Sequence, residues 1–208
     1  GVARAENLVE ATQNADVFAE VSGMLKACAV NLLKISSDLR LLSSGPDAGL
    51  GEITLPARQA GSSIMPGKVN PVIAEAVSQA ALLVMAHDAA IAQACAAGSL
   101  ELNPFLPLVA HCLLDSLDLL AGAARILCRF CVEGMTADEE RCRAHVNAST
   151  AVVTALVARM GYEAASAIAR KASERRCSIR EVVLADGILN EQEFDELTTP
   201  EAVCRLGS

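Results

Sequence analysis

Residues 61–75 read GSSIMPGKVNPVIAE. The first part, GSSIMPGKVNP, gathers two glycines, two prolines, two serines, one lysine and one asparagine in a chain otherwise rich in helix formers. From the residues alone two readings are open. One is a turn between two helices, since Ser, Gly and Pro are ordinary turn residues. The other is a pre-shaped loop that holds an anion and a reactive serine.

The flanks of this stretch are helical. Upstream, Phe18, Val21, Leu25, Cys28, Leu32, Ile35, Leu39 and Leu42 step by three and four, the a/d stripe of a packed helix, widened by Met24, Leu33 and Leu41. SSGP at 43–46 is a Gly-then-Pro stop. The segment from Ser44 to Pro71 then holds five Gly and four Pro. Structureless loops longer than about 12–15 residues are uncommon inside compact domains and are usually functional or disordered. Between two strong helices, function is the favoured reading. Downstream, an Ala-rich helix runs from Pro71 to Gly98, and a third from about Asn103–Pro104 to Gly134.

Beyond Gly134 the helices become short and charged. Thr136–Glu139 reads as a capping box, and 163–176, 178–187 and 190–197 read as short helices. The expected fold class is all-α: a long-helix bundle over 1–134, with a candidate catalytic loop at 44–71, followed by a small helical domain over 135–208. Three long apolar helices close poorly on themselves, and a mean hydropathy of +0.37 points to faces that meet partner subunits.

Composition narrows the function. The chain has 208 residues, 52% hydrophobic and 2% aromatic, with a net charge of -8. No basic block tracks phosphates, so no nucleic-acid partner is expected. No uninterrupted apolar run reaches membrane length, the nearest being 76–86, so no membrane partner is expected. No signal peptide is read at the N-terminus. Five of the eight cysteines (Cys28, Cys95, Cys112, Cys128 and Cys131) lie in apolar helical stretches as small hydrophobes. The Cys128/Cys131 CxxC has no second pair, so no metal site is expected, and a reducing cytoplasmic setting fits.

The loop is not a Walker A motif: Val69 follows the lysine and no strand precedes it. Lys68 and Asn70 stand just before a helix N-terminus, which presents unpaired N–H groups and partial positive charge. A carboxylate would be held there, and a nearby Ser62 or Ser63 could act as a base if its alkoxide were stabilised. Glu75 falls on the helix's first turn. His87, His111 and His145 read as structural histidines.

GSSIMPGKVNPVIAE resembles the signature of the aspartase/fumarase superfamily, Gly-Ser-x-x-Met-x-x-Lys-x-Asn-x-x-x-x-Glu, at every fixed position. ENLVEATQNADVFAEVSGMLK, NLLKISSDLRLLSSGP, GMTADEERC and the SIREVVL…GILNEQEFDEL ending resemble aspartate ammonia-lyases more than class II fumarases. The resemblance covers essentially the whole chain, but only the C-terminal half of the family's usual length. Asp47 stands where relatives usually carry Arg, and TALVARMGY lacks the usual Asn-Pro.

The resemblance implies a homotetramer of long helices acting on a small dicarboxylate; no cofactor is expected. It implies reversible anti elimination of ammonia from L-aspartate to give fumarate. Class II fumarate hydratase is the alternative, and a non-catalytic helical assembly module the third reading. Carried over by position, Ser62 is the general base. Lys68 and Asn70 hold substrate carboxylate and stabilise the aci-carboxylate. Ser63, Ile64 and Met65 add contacts, and Glu75 pairs with a histidine of another subunit. The family's N-terminal half, which brings that histidine and further Thr, Ser and Asn ligands, is not among these residues.

Overall fold

The computed structural model describes residues 3–45, 47–59, 65, 68–149 and 151–199. They form an almost wholly helical chain that divides into two units, Gly1–Ala137 and Asp138–Ser208.

The first unit is built on three long helices. After a short α1 (Leu8–Gln13), capped by the Asn7 side chain, come α2 (Asp16–Leu42), α3 (Val72–Ala96) and α4 (Leu106–Leu127). Helix α3 packs along both of the others, and its Ala-rich faces make that possible. It buries Ala74, Val77, Ser78, Ala81, Val84, Asp88, Ile91 and Ala94, a three/four spacing. Three apolar clusters lie along the unit, around Val77/Leu127, Ala81/Leu120 and Ile91/Val109.

The α2 stripe is not buried as its spacing predicts. The buried residues of that face are Ala15, Ser22, Ala29 and Ser36, a heptad of small side chains. Leu25, Leu32 and Leu39 flank it half-buried, while Phe18, Cys28 and Ile35 are exposed. Small residues let the α2 backbone approach its neighbours closely, so the larger side chains straddle the seam. The far edge of the stripe, with Met24 at 60% and Leu41 at 60% exposure, faces away from the unit. Leu82, Leu83, Leu114 and Leu117 are likewise exposed on α3 and α4.

Counting uninterrupted runs also understated the apolar length. Val72–Ala96 and Leu106–Val132 are long and apolar enough to cross a membrane by length and composition alone. The windows tolerate scattered charges that break a run. One such charge, Asp88, is paired inside the helix bundle: it accepts from Ser22 Oγ at 2.8 Å and Lys26 Nζ at 2.5 Å. The preceding residue, His87, turns to α4 instead, its Nδ1 3.2 Å from Ser116 Oγ and 3.7 Å from Asp115 Oδ2.

Helix α4 does not stop at Leu127. It widens into a π turn, Cys128–Val132, closed by the Glu133 N–H donating to Cys128 O at 2.9 Å. Strand β1 (Ile53–Thr54) then pairs antiparallel with β2 (Thr136–Ala137), Ile53 against Ala137 and Thr54 against Thr136. This pairing corrects the expected capping box. Thr136 is held in the strand, and the cap of the next helix is Asp138, whose carboxylate accepts from the Arg141 N–H at 2.9 Å.

The second unit packs α5 (Glu139–Ala148), α6 (Ala151–Met160), α7 (Tyr162–Arg175), α8 (Ile179–Ala185) and α9 (Glu191–Leu197). Leu156, Ile168, Val182, Val183 and a fully buried Phe194 form its core. Capping boxes at Ser178/Glu181 and Asn190/Glu193 start α8 and α9. Arg180 binds Glu191 at 2.6 Å, pairs with Asp195 and lies over the Phe194 ring.

Candidate active site

The loop between α2 and α3 is anchored before it reaches the serines. The Glu52 N–H donates to Leu42 O at 2.9 Å, and the Leu50 N–H to Ser44 Oγ at 3.0 Å. The chain folds back so tightly that a Cβ on Gly49 would lie 2.3 Å from Ser44 O, which only glycine avoids. β1 ties the next residues to β2. Arg58 then reaches the π turn: its Nε donates to Phe130 O at 3.2 Å and its Nη2 to Arg129 O at 3.4 Å. Its guanidinium lies 5.1 Å from the centre of the Phe130 ring.

Ser62, Ser63 and Ile64 lie outside the described residues, so their expected roles as base and contacts have no geometry here. Met65 is 49% exposed, and its carbonyl accepts from the Lys68 N–H at 3.2 Å. Lys68 and Asn70 are half-buried. Pro71 is the N-cap of α3, no side chain among the described residues caps that end, and Asn70 O accepts from the Val72 N–H at 2.9 Å. The structure thus brings Lys68 and Asn70 to a helix N-terminus that no described side chain closes, where an anion is favoured.

Glu75 lies in the first turn of α3, and its Oε1 is 3.9 Å from Arg40 Nη2 in the last turn of α2. Sequence reasoning missed Arg40 and Arg58. The signal for Arg40 was available: a loop that joins two packed helices brings the last turn of one beside the first turn of the next. Arg58 acts across 72 residues of sequence and left no local signal.

Among the described residues no group of three His, Cys, Asp or Glu is placed to hold a metal. Cys128 and Cys131 are both free thiols. Cys128 is exposed, and burial pushes the Cys131 thiol up from its ordinary value. The imidazole of His87 belongs to the bundle interior rather than to the loop.

Comparison with known proteins gives this geometry a family. A family described as "Lyase" matches residues 1–86, and one described as "Fumarase C C-terminus" matches residues 152–205. Aspartate ammonia-lyase of Bacillus subtilis (strain 168) is 46% identical over 98% of this chain and 43% of the relative. Aspartate ammonia-lyase of Pseudomonas fluorescens is 50% identical over 95% of this chain and 41% of the relative. Class II fumarate hydratase of Pseudomonas putida is 45% identical over 98% of this chain and 44% of the relative.

Among solved structures, fumarate lyase:delta crystallin from Brucella melitensis in native form matches with a TM-score of 0.86 at 45% identity. That match covers 94% of this chain and 44% of that one. Class II fumarase from Schistosoma mansoni matches with a TM-score of 0.87 at 34% identity, over 98% of this chain and 43% of that one. The chain belongs to the aspartase/fumarase superfamily of lyases. It spans less than half the length of the relatives it matches.

Proposed function

We propose that this chain is the loop-bearing part of an aspartate ammonia-lyase, which converts L-aspartate to fumarate and ammonia by anti elimination across Cα–Cβ. The observation that carries the reading is identity of 46–50% with aspartate ammonia-lyases of Bacillus subtilis and Pseudomonas fluorescens over nearly the whole chain. The α3 N-terminus beside Lys68, Asn70 and Glu75, uncapped among the described residues, supports it.

In this reading Ser62 removes the Cβ proton. The electron pair passes to the β-carboxylate as the aci-carboxylate, and the Cα–N bond then breaks to release ammonia. Lys68, Asn70 and the α3 N–H groups meet the developing carboxylate charge; donors fixed in advance cost no reorganisation at that moment. Ser63 and the Ile64 and Met65 backbone complete the carboxylate contacts. Glu75 orients a histidine supplied by another subunit. The reading needs no metal or cofactor. The exposed apolar faces of α2, α3 and α4 support a homo-oligomer, a tetramer by family resemblance, in a cytoplasmic setting without membrane or nucleic-acid partners.

A class II fumarase is the second reading. The 45% identity to the Pseudomonas putida fumarate hydratase favours it, and the same loop would then expel hydroxide in place of ammonia.

The test is fumarate absorbance with L-aspartate and, in parallel, L-malate. It is run on the chain alone and on the chain supplied with the amino-terminal half of a relative. Fumarate from aspartate supports the ammonia-lyase. Fumarate from malate alone replaces it with the hydratase, and silence in both forms leaves the assembly-module reading.

A further inference from the structure

Both stems of the serine-bearing loop land on one feature, the π turn at Cys128–Val132. Arg58 ends the incoming stem, and Asn70 and Pro71 begin the outgoing one. These residues share a cleft with Leu55, Phe130 and Cys131. At about 10 Å³ the cleft holds no more than one water, so it is a packing junction and not a substrate pocket.

The π turn supplies what the junction needs. A helix ends with four carbonyls that have no partner within it, and a basic side chain can satisfy them. Arg58 does this for Arg129 O and Phe130 O, with its guanidinium carbon 5.1 Å from the centre of the Phe130 ring. Single π turns are frequent at functional sites. Here the widened turn faces the root of the candidate site, and its Cys131 is buried beneath that root.

We infer that Arg58, docked on the Cys128–Val132 π turn, is a positioning residue for the loop. It fixes where the incoming stem ends and shares its cleft with Asn70 and Pro71 of the outgoing stem, so the candidate carboxylate-binding residue Asn70 starts from a set geometry. Arg58 touches no substrate; it acts through the two stems. The inference rests on the ammonia-lyase reading for its effect on turnover, and not for the anchoring itself.

The fork geometry makes a second claim. Lysine donates from a single nitrogen, whereas the arginine fork reaches Phe130 O from Nε and Arg129 O from Nη2. Arg58→Lys therefore restores part of the anchoring, and Arg58→Gln none.

The experiment compares the parent with Arg58→Gln, Arg58→Lys and Phe130→Leu by amide hydrogen exchange and by turnover, in whichever form yields fumarate. In Arg58→Gln, exchange at 53–59, 68–72 and 128–134 is expected to rise about tenfold, with the middle of α3 unmoved. Its kcat is expected to fall about 10- to 100-fold with KM within about threefold, because the chemistry suffers from misplacement more than binding does. Arg58→Lys and Phe130→Leu are expected to fall between. Unchanged exchange at 68–72 in Arg58→Gln overturns the anchoring. Raised exchange with unchanged kcat overturns the positioning role and leaves Arg58 structural. A parent that makes no fumarate from either substrate defeats the proposed function instead, and the exchange arm still decides Arg58.

Discussion

Glu75 and Arg40 face each other across the root of the loop, Oε1 to Nη2 at 3.9 Å. The pair joins the last turn of α2 to the first turn of α3, so it spans the two ends between which the whole loop is strung. Both side chains are more than 40% exposed, so the pair adds less than about 1 kcal/mol to stability. Its value is geometric: it aims a carboxylate that the proposed mechanism uses.

Arg40→Gln is therefore expected to change turnover more than folding. The chemical denaturation midpoint should stay near the parent's, while kcat for fumarate formation falls about tenfold through misplacement of Glu75. Arg40→Lys should retain part of the rate. A large loss of stability with an unchanged kcat would show the pair to be a structural brace only.

The buried carboxylate of Asp88 makes the opposite case. It is 9% exposed and depends on Ser22 and Lys26. Removing the cation leaves a buried charge with one hydroxyl partner. Lys26→Met is expected to destabilise by about 2–3 kcal/mol. Asp88→Asn is expected to lose only about 1 kcal/mol, since the half-exposed Lys26 can turn to solvent and the amide keeps a hydrogen bond. Urea unfolding of the two variants checks the order. Equal, negligible losses would mean that the pair is solvated in solution.

Local chemistry was legible in the sequence, and long-range pairing was not. The short helices that begin near 178 and 190, the Gly98 and Gly134 stops and the long helices between them rest on neighbours a few residues apart, and the structure has them. The α2 stripe was misread because apolar periodicity ignores serine. Ser22 and Ser36 sit in the deepest seam, since their small size admits the neighbouring helix. Thr136 was misread as a cap because its partner, Thr54, is 82 positions away in a different segment. Lys68, Asn70 and Glu75 come from the motif, and the structure sets them at the start of α3. Arg40 and Arg58 were not legible, because their partners lie on other elements. Ser62, the proposed base, falls among the residues whose placement is not described.

The two cysteines of the CxxC should behave as different groups. Cys128 is exposed, whereas Cys131 is 2% exposed and burial raises its thiol pKa. Only the thiolate reacts with alkylating reagents. Iodoacetamide at pH 8 should modify Cys128 faster than Cys131, read by peptide mass after timed quenching, because burial both shields the Cys131 sulfur from the reagent and disfavours its thiolate. Equal rates would place the π turn in an open state and weaken the junction built on it.

Acid should act first on the second unit. The Ser178 N–H and hydroxyl hold the Glu181 carboxyl below its ordinary value of 4.5. The Asn190 N–H does the same for Glu193, helped by Arg159. Lys171 and then Arg175 lower Asp186 from 3.8. Each folded pKa lies below the unfolded one. The stability these groups add is therefore complete above the unfolded pKa and is lost as pH falls through the folded value. Thermal melts of the second unit should be flat above about pH 5.5 and should fall steadily below about pH 4.5. Glu181→Gln together with Glu193→Gln should flatten that fall. An unchanged acid limb in the double variant would assign it to other carboxylates.

The serine assignment is decided by the shape of the loss and not by loss alone. A general base contributes about 10²–10⁴-fold to rate. Ser62→Ala, in the form that makes fumarate, should lose at least that much kcat with KM close to the parent's, since the hydroxyl is used at the proton transfer. Lys68→Met should raise KM and lower kcat together, because a carboxylate ligand acts in the ground state and more strongly as the aci-carboxylate forms. A primary isotope effect with substrate deuterated at Cβ separates the two further. In Ser62→Ala the proton transfer becomes more nearly rate-limiting and the effect should grow. Near-parent turnover in Ser62→Ala would remove serine from the role of base and leave the loop as a carboxylate cradle around Lys68 and Asn70.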